Sequence, residues 1–402
     1  MTDTTYPIVY GTTWCPDCKR SKRFLGEHRI PYTWVDVEQN AQGMSRIIEL
    51  NNGKQAVPTI VFQDSSVLVE PSNAELATQL GIPTKAERDF YDLIIIGGGP
   101  AGLTAALYTA REGIDTLILD RSGLGGQAAV TERLDNFPGF PEGVSGAEFA
   151  DRLKRQAERF GVETVGAADI GKLWTEGGYV CVTTREGHEY GAHAALVATG
   201  STYSRLGVPG EDDFIGAGIH FCATCDAAFY KDAQELLVIG GGNSATEEGL
   251  FLTKFAHKVT LVTIDPDLSA SSILREKVKS HPQMNVVYNT TVAEFRGDKR
   301  LEAVFLKDTK TGQTREMRPA AVFVFIGMTP NTRFLQGNGV KLNQWGFIQT
   351  DDQLRTSMDG VFAAGDVRAG STKQAASAAG EGATAALAIR AHLQQRSPSR
   401  EM

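Results

Sequence analysis

The sequence is short of three things, and each shortage removes a class. It has five cysteines in 402 residues, too few for the disulfide framework that staples small secreted domains. It has no surplus of positive charge: 40 Lys and Arg against 48 Asp and Glu leave a formal charge of −8, which argues against a nucleic-acid surface. It also has no unbroken apolar run of membrane length. Leu93 to Ala110 carries no charged residue and is long enough to mimic a span. In its middle, however, Gly97-Gly98-Gly99-Pro100 reads as strand, tight turn and helix. Met1-Thr-Asp-Thr-Thr-Tyr6 lacks the charged and apolar regions of a signal peptide. The expectation is a cytoplasmic protein with no membrane or nucleic-acid partner, whose paired cysteines cycle rather than staple.

Four of the five cysteines form two Cys-x-x-Cys pairs, Cys15/Cys18 and Cys222/Cys225; Cys181, in the alternating run Tyr179-Val180-Cys181-Val182-Thr183, reads as an inert strand residue. A lone Cys-x-x-Cys can be a redox couple, half a zinc site or two buried thiols. A structural zinc needs four ligands, which neither pair supplies, so no metal site is expected. A disulfide and its dithiol store two electrons, and Cys222-Ala-Thr-Cys225-Asp226 lies between two glycine-rich loops.

The first loop follows the apolar strand Leu93-Ile-Ile-Ile and reads Gly97-Gly98-Gly99-Pro100-Ala101-Gly102. Its glycines permit a tight turn and close approach of a pyrophosphate to a helix N-terminus. Asp120 ends the next strand, placed to bind a ribose hydroxyl. The second copy runs Leu236-Leu-Val-Ile-Gly240-Gly241-Gly242-Asn243-Ser244-Ala245, then a helix and the strand Lys258 to Val262. Two such units suggest two nucleotides. A flavin with a nicotinamide is the economical pair, since thiol couples exchange two electrons and a flavin accepts a hydride.

Ahead of these units, Ile8-Val9-Tyr10 reads as a strand and Trp14-Cys15-Pro16-Asp17-Cys18 as the opening of a helix. At that helix N-terminus the free N–H groups favour a Cys15 thiolate, with Lys19, Arg20, Lys22 and Arg23 adding positive charge. Val57-Pro58-Thr59 would fit a cis bond beside the disulfide. Residues 1–82 resemble the glutaredoxin branch of the thioredoxin fold through these two motifs. They depart where glutaredoxins carry a Gly-Gly pair, here Val69-Glu70-Pro71-Ser72. Glutathione binding is therefore left unassigned, and the mycoredoxin-like type matches as well. Pro83 to Asp89 reads as a polar linker whose seven residues reach at most ~25 Å, enough to swing a small domain.

From about Asp92 the chain resembles the low-molecular-weight thioredoxin reductase family of flavoproteins. The resemblance rests on Gly97 to Gly102, Gly125-Gly126-Gln127, Asn136-Phe137-Pro138-Gly139, Ala198-Thr199-Gly200, the Cys222–Asp226 motif, the second fingerprint and Gly360 to Asp366. It implies an α/β architecture: a glutaredoxin-like domain (1–82), a linker (83–90), an FAD domain in two parts (91–206 and 326–402), and an inserted NAD(P)-type domain (207–325) carrying the redox pair. FAD would be held by Gly97, Gly99, Pro100, Ala101, Gly102, Asp120, Gly126, Gln127, Asn136, Ala198, Thr199, Gly200, Gly365 and Asp366, with Lys373, Gln374 and Ala375 near the isoalloxazine. The nicotinamide would meet Gly240, Gly242, Asn243 and Ser244. A homodimer is implied, with hinges near Gly207 and Phe325.

Three departures matter: Ala227 in place of Gly, Lys373 in place of Arg, and Thr263-Ile264-Asp265 in place of a His-Arg-Arg cluster, with Ser269 where a further Arg is expected. Guanidinium groups clamp a 2′-phosphate. Asp265 would repel it and accept a hydrogen bond from a bare 2′-hydroxyl, so the expectation is NADH over NADPH, or a weak or absent nicotinamide site, unless Arg275 or Lys277 supplies the phosphate contact.

The expected activity is an electron relay from a reduced nicotinamide through FAD and Cys222/Cys225 to Cys15/Cys18, and on to a protein disulfide of the thioredoxin or peroxiredoxin kind. By resemblance Cys225 faces the flavin, Cys222 attacks the outgoing disulfide and Asp226 moves the proton; Cys15 attacks the substrate and Cys18 resolves it. His220 and Tyr230 read as packed residues without a role. The rivals are an NADH-dependent peroxiredoxin reductase, a ferredoxin-dependent reductase, and a redox sensor without turnover.

Overall fold

Short β-branched and aromatic runs alternate with amphipathic segments along the first part of the chain, and in the computed structural model they build a small layered module. The structure describes residues 6–396 apart from 29, 132 and 135; the side chains of Arg23, Glu27, Val130, Thr224 and Cys225 also lie outside the described set. Strand Ile8–Gly11 pairs in parallel with Thr33–Asp36 and antiparallel with Thr59–Val61, which pairs antiparallel with Val67–Val69. Helices Pro16–Glu27, Ala41–Leu50 and Asn73–Gln79 accompany this sheet. Val9, Phe24, Leu25, Ile60 and Leu76 fill the core, and Ala167 of the following unit belongs to the same cluster.

The segment after this module is strapped down rather than free. Gly166 N–H donates to the Pro83 carbonyl at 2.8 Å. Ala86 N–H donates to the Tyr190 hydroxyl at 3.2 Å, and Glu87 N–H to Glu163 at 2.6 Å. Arg88 pairs with Asp115 at 2.6 Å. The extended reach expected of Pro83 to Asp89 is therefore taken up by specific contacts.

Strands Phe90–Ile96 and Thr116–Leu119 lie in a seven-stranded sheet with Glu189–Val197. Leu93 to Ile96 are at most 2% exposed, as expected of a parallel strand covered on both faces. Each such Leu or Ile contributes about 1.5–3 kcal/mol on burial. Val361–Ala363, from the far end of the chain, pairs in parallel with the same central strand. One sheet is thus assembled from two separated segments.

Between those segments lies a five-stranded parallel sheet containing Ala233–Ile239, Ala256–Val262 and Ala321–Val324, together with a three-stranded antiparallel sheet over Thr290–Met317. The two crossings into this region are joined as a two-stranded ribbon, Ser201–Tyr203 against Met328–Pro330. Asn331 fastens it: its side-chain N–H donates to Thr199 O at 2.8 Å, and Thr199 Oγ1 donates back to Asn331 O at 2.9 Å. Among the described residues no helix is long and apolar enough to cross a membrane; Leu93–Ala110 divides into the strand and the helix Pro100–Arg111.

Candidate active site

The first glycine turn shows why its spacing is needed. Gly97 has φ +107°, and a Cβ there would lie 2.4 Å from the Ala198 carbonyl oxygen. A Cβ on Gly102 would lie 1.9 Å from the Gly97 oxygen, so the helix can seat on the strand only through glycine. At Gly99 a Cβ would meet nothing within 4 Å. Gly99 is also the N-cap of Pro100–Arg111 and has no side-chain cap, so the helix end stays open to an anion.

The structure gathers the other residues expected here. A Cβ on Gly126 would stand 3.2 Å from Gly99, and one on Gly365 would stand 3.1 Å from Ala101. Asn136 donates its side-chain N–H to Gln374 at 3.1 Å across 238 residues of sequence. Gly126, Gln127 and Asn136 are exposed, while Thr199, Gly200, Asp366, Lys373, Gln374 and Ala375 are half-buried. Asp120 accepts Gly98 N–H at 2.5 Å and Ser122 N–H at 2.7 Å, so both carboxylate oxygens brace the turn. Asp366 accepts from Ser371 Oγ at 3.2 Å, and burial holds its carboxyl above the ordinary range. The Lys373 ammonium donates to the Asp366 carbonyl and sits 4.2 Å over the Phe347 ring. Burial lowers that ammonium's proton affinity. Arg368 and Glu381, which no motif marks, form a half-buried pair at 2.8 Å, and Glu381 also accepts Gly365 N–H at 2.6 Å. The open helix end, the glycine floor and the polar rim fit a dinucleotide.

In the second unit a Cβ on Gly240 would lie 2.3 Å from the Phe325 oxygen, and Gly242 is open except for Ser269 at 3.9 Å. Asn243 and Ser244 are exposed at the start of helix Asn243–Leu252. Asn243 accepts Ser271 N–H at 2.8 Å, which ties down the loop after Val262. Asp265 is exposed, beside Ile264 at 62% exposure. Arg275 is engaged with Asp267 at 3.2 Å.

The inner redox motif occupies a one-turn helix, Ala223–Asp226, with Cys222 as its N-cap. Cys222 is disulfide-bonded; the expected role of Cys225 falls on a side chain outside the described residues. Asp226 N–H donates to the Cys222 carbonyl at 3.2 Å. Asp226 Oδ2 lies 3.4 Å from His220 Nδ1, and His220 Nε2 is 2.6 Å from the Tyr230 hydroxyl. The polar contacts of His220 and Tyr230 were not anticipated. The spacing of a two-residue strand carries no sign of which way its side chain points. Phe221 stacks on Tyr203 at 5.1 Å under Arg205, joining the motif to the ribbon.

The outer pair opens helix Pro16–Glu27. Cys15 is its N-cap, and its sulfur accepts Cys18 N–H at 3.1 Å. Val57–Pro58 is cis, and Cys15 Sγ donates to Val57 O at 3.5 Å. Both thiols are free and buried. Burial first, then the Cys15 side chain, push the Cys18 thiol up to about 12. The pair is thus built asymmetrically, with one sulfur facing a backbone donor and the other kept protonated. Among the charges expected nearby, Arg20 is paired with Asp17 and Lys22 sits 4.5 Å over Trp34.

Two nucleotide-binding units around a disulfide, preceded by a dithiol on a thioredoxin fold, define a nucleotide-dependent disulfide oxidoreductase. Comparison with known proteins agrees. The profile of the pyridine nucleotide-disulphide oxidoreductases matches residues 91–382, and that of the glutaredoxins matches residues 8–67. The chain is similar to the thioredoxin reductase of Bacillus subtilis, with 40% identity over 77% of this chain and 97% of that protein. Among solved structures it is similar to thioredoxin reductase from Streptococcus pyogenes, at 38% identity and TM-score 0.72 over 76% of this chain and 99% of that one. It is also similar to the Lactococcus lactis enzyme in its FR conformation, at 35% identity and TM-score 0.54 over 76% and 99%. The chain belongs to the pyridine nucleotide-disulphide oxidoreductase family, and it is a thioredoxin reductase-like flavin disulfide oxidoreductase whose cofactors are FAD and a nicotinamide.

Proposed function

We propose that this enzyme reduces a protein disulfide of the thioredoxin or peroxiredoxin kind with electrons from NADH, through two of its own cysteine pairs in series. Bound FAD would supply two-electron transfer between the nicotinamide and the Cys222/Cys225 disulfide. The residues that would hold it are Gly97, Gly99, Pro100, Ala101, Gly102, Asp120, Gly126, Gln127, Asn136, Ala198, Thr199, Gly200, Gly365, Asp366, Lys373, Gln374 and Ala375. The nicotinamide would lie against Gly240, Gly242, Asn243 and Ser244. Asp265, at the place where a 2′-phosphate would need cations, favours the bare ribose of NADH.

Cys222 then attacks the Cys15–Cys18 disulfide, with Asp226 taking up and returning the proton. Cys15 attacks the substrate disulfide and Cys18 resolves the mixed disulfide. The observation that carries this reading is the coexistence of a bound disulfide at Cys222 with a free pair at Cys15 and Cys18. Those are the two ends of one exchange reaction, and the asymmetry of the outer pair suits an attacker and a resolver. The two-stranded ribbon is the natural hinge. Two copies form the working unit, in the cytoplasm.

Adding NADH and NADPH separately to the yellow protein without oxygen tests the donor. Faster bleaching by NADH is expected; faster bleaching by NADPH removes Asp265 as the discriminator, and bleaching by neither points to ferredoxin. Cys15→Ser should leave bleaching intact and stop turnover of protein disulfides. Surviving turnover means that the N-terminal module is not the outlet.

A further inference from the structure

His220 ends the short strand Ile219–His220 and is 7% exposed. Its ring packs on Phe323 at 5.3 Å, and Tyr230 packs edge-on against the same phenylalanine at 6.1 Å. Packing therefore fixes both rings while their polar atoms meet: Nε2 stands 2.6 Å from the Tyr230 hydroxyl, and Nδ1 stands 3.4 Å from Asp226 Oδ2. His220 is the most enclosed member of this line, and Tyr230 reaches the half-buried margin. At the other end, Asp226 shares one helical turn with Cys222.

We propose that Tyr230, His220 and Asp226 form a proton line into the Cys222 disulfide, with His220 as the positioning residue that loads Asp226. The line rests on the reading of Cys222 and Asp226 as the redox site. Reducing a disulfide breaks one S–S bond and makes two S–H bonds. The reduced nicotinamide gives up a hydride, which accounts for both electrons and one proton; solvent must supply the second proton. The Tyr230 hydroxyl proton passes to His220 Nε2, the Nδ1 proton passes to Asp226, and Asp226 protonates the departing thiolate. Solvent then returns a proton to Tyr230.

The titratable group that senses Asp226 from the ribbon is Tyr203, which also senses the carboxylates of Asp366 and of Glu248 on helix Asn243–Leu252. Burial pushes the Tyr203 hydroxyl up to about 12, so it stays a phenol at neutral pH, and burial also raises the Glu248 carboxyl. The Phe323 strand offers no titratable side chain. An imidazole in this line is the group whose ordinary range suits relay near neutrality.

The test uses the flavin-loaded full chain with NADH and a protein disulfide, read from about pH 5.5 to 9.5. His220→Asn should lower kcat about tenfold, leave KM near its original value and flatten the acid limb of the pH profile. Tyr230→Phe keeps the ring on Phe323 and removes only the hydroxyl; a fall of about threefold is expected. The His220→Asn/Asp226→Asn double variant should be no slower than Asp226→Asn alone, because both act on one path. A second readout needs no turnover. In chemically reduced protein, the pH midpoint for capture of Cys222 by iodoacetamide should move up in His220→Asn, since the Asp226 carboxylate beside Cys222 loses the imidazole N–H that screens its negative charge. Unchanged profiles in both single variants, multiplicative losses in the double, or an unmoved midpoint would each overturn the line. Cys222→Ser separates the two readings: if it retains turnover, the redox-site assignment fails, whereas its inactivity beside a normal His220→Asn sinks the line alone.

Discussion

Gly97 N–H donates to the Leu119 carbonyl at 2.8 Å, and Gly240 N–H donates to the Val262 carbonyl at 2.9 Å. The parallel between the two nucleotide units continues outward. Asp120 N–H reaches Val165 O and Thr263 N–H reaches Val287 O, each at 3.0 Å. The second glycine of each turn faces the residue ending the next strand: a Cβ on Gly98 would lie 3.3 Å from Asp120 Oδ2, and one on Gly241 would lie 2.5 Å from Thr263 Oγ1. Thr263, not Asp265, is therefore the counterpart of Asp120. The same scaffold carries a bracing carboxylate in one copy and a neutral hydroxyl in the other. In the first copy another helix packs close, with Gly382 so near that a Cβ there would lie 2.2 Å from the Ala101 oxygen, and the helix start is half-buried, while in the second the helix start is exposed. That contrast is the one expected of a retained nucleotide in the first unit and an exchanging one in the second.

The sharpest way to break that contrast is to add one methyl group to each turn. Gly97→Ala meets positive φ and the Ala198 carbonyl, and Gly240→Ala meets positive φ and the Phe325 carbonyl. Each should cost about 3 kcal/mol or more. The functional losses should differ. Gly97→Ala is expected to purify colourless, and Gly240→Ala to stay yellow but resist bleaching by the nicotinamide. Absorbance and thermal unfolding read both. A colourless Gly240→Ala would mean that the two sites are not separate.

The glycine turns were legible because their chemistry is local: a strand, three glycines and a helix start leave little else for the backbone to do. The outer dithiol was legible for the same reason, since an N-cap cysteine and the following Pro sit within one turn. What the sequence withheld depends on distant partners. The polar linker became a strap because Tyr190 and Glu163 reach back to Ala86 and Glu87. Arg368 found Glu381 thirteen positions away, on a different element. His220 gained its neighbours because Phe323, about a hundred residues on, packs against both its ring and that of Tyr230. No periodicity encodes such meetings, which follow from sheet order and from which face of a strand is covered.

The contrast between Asp120 and Thr263 predicts unequal costs of truncation. Asp120→Ala strips the acceptor from two backbone N–H groups, Gly98 and Ser122, and should cost about 2–3 kcal/mol with weaker flavin retention. Thr263→Ala loses one longer bond, from Asp265 N–H at 3.3 Å, and should cost about 1 kcal/mol or less. Denaturant midpoints at constant slope measure both. Equal losses would show that the carboxylate is not what braces the first turn.

The smallest expected effect is also the most specific. Asp265 is exposed, so its repulsion of a 2′-phosphate is screened and worth only about 1 kcal/mol at close range in water. Asp265→Arg replaces that repulsion with an attraction of similar size. It should raise kcat/KM for NADPH relative to NADH about tenfold, ~1.4 kcal/mol, with little change in stability. The gain should shrink as salt is added, because both charges face solvent. Arg275 is the competing cation, but its guanidinium is already engaged by Asp267 at 3.2 Å. If Asp265→Arg leaves the ratio unchanged while Asp267→Asn raises it, the phosphate is sensed from helix Ser272–Ser280, and the difference between the two units lies one element further on than the strand end.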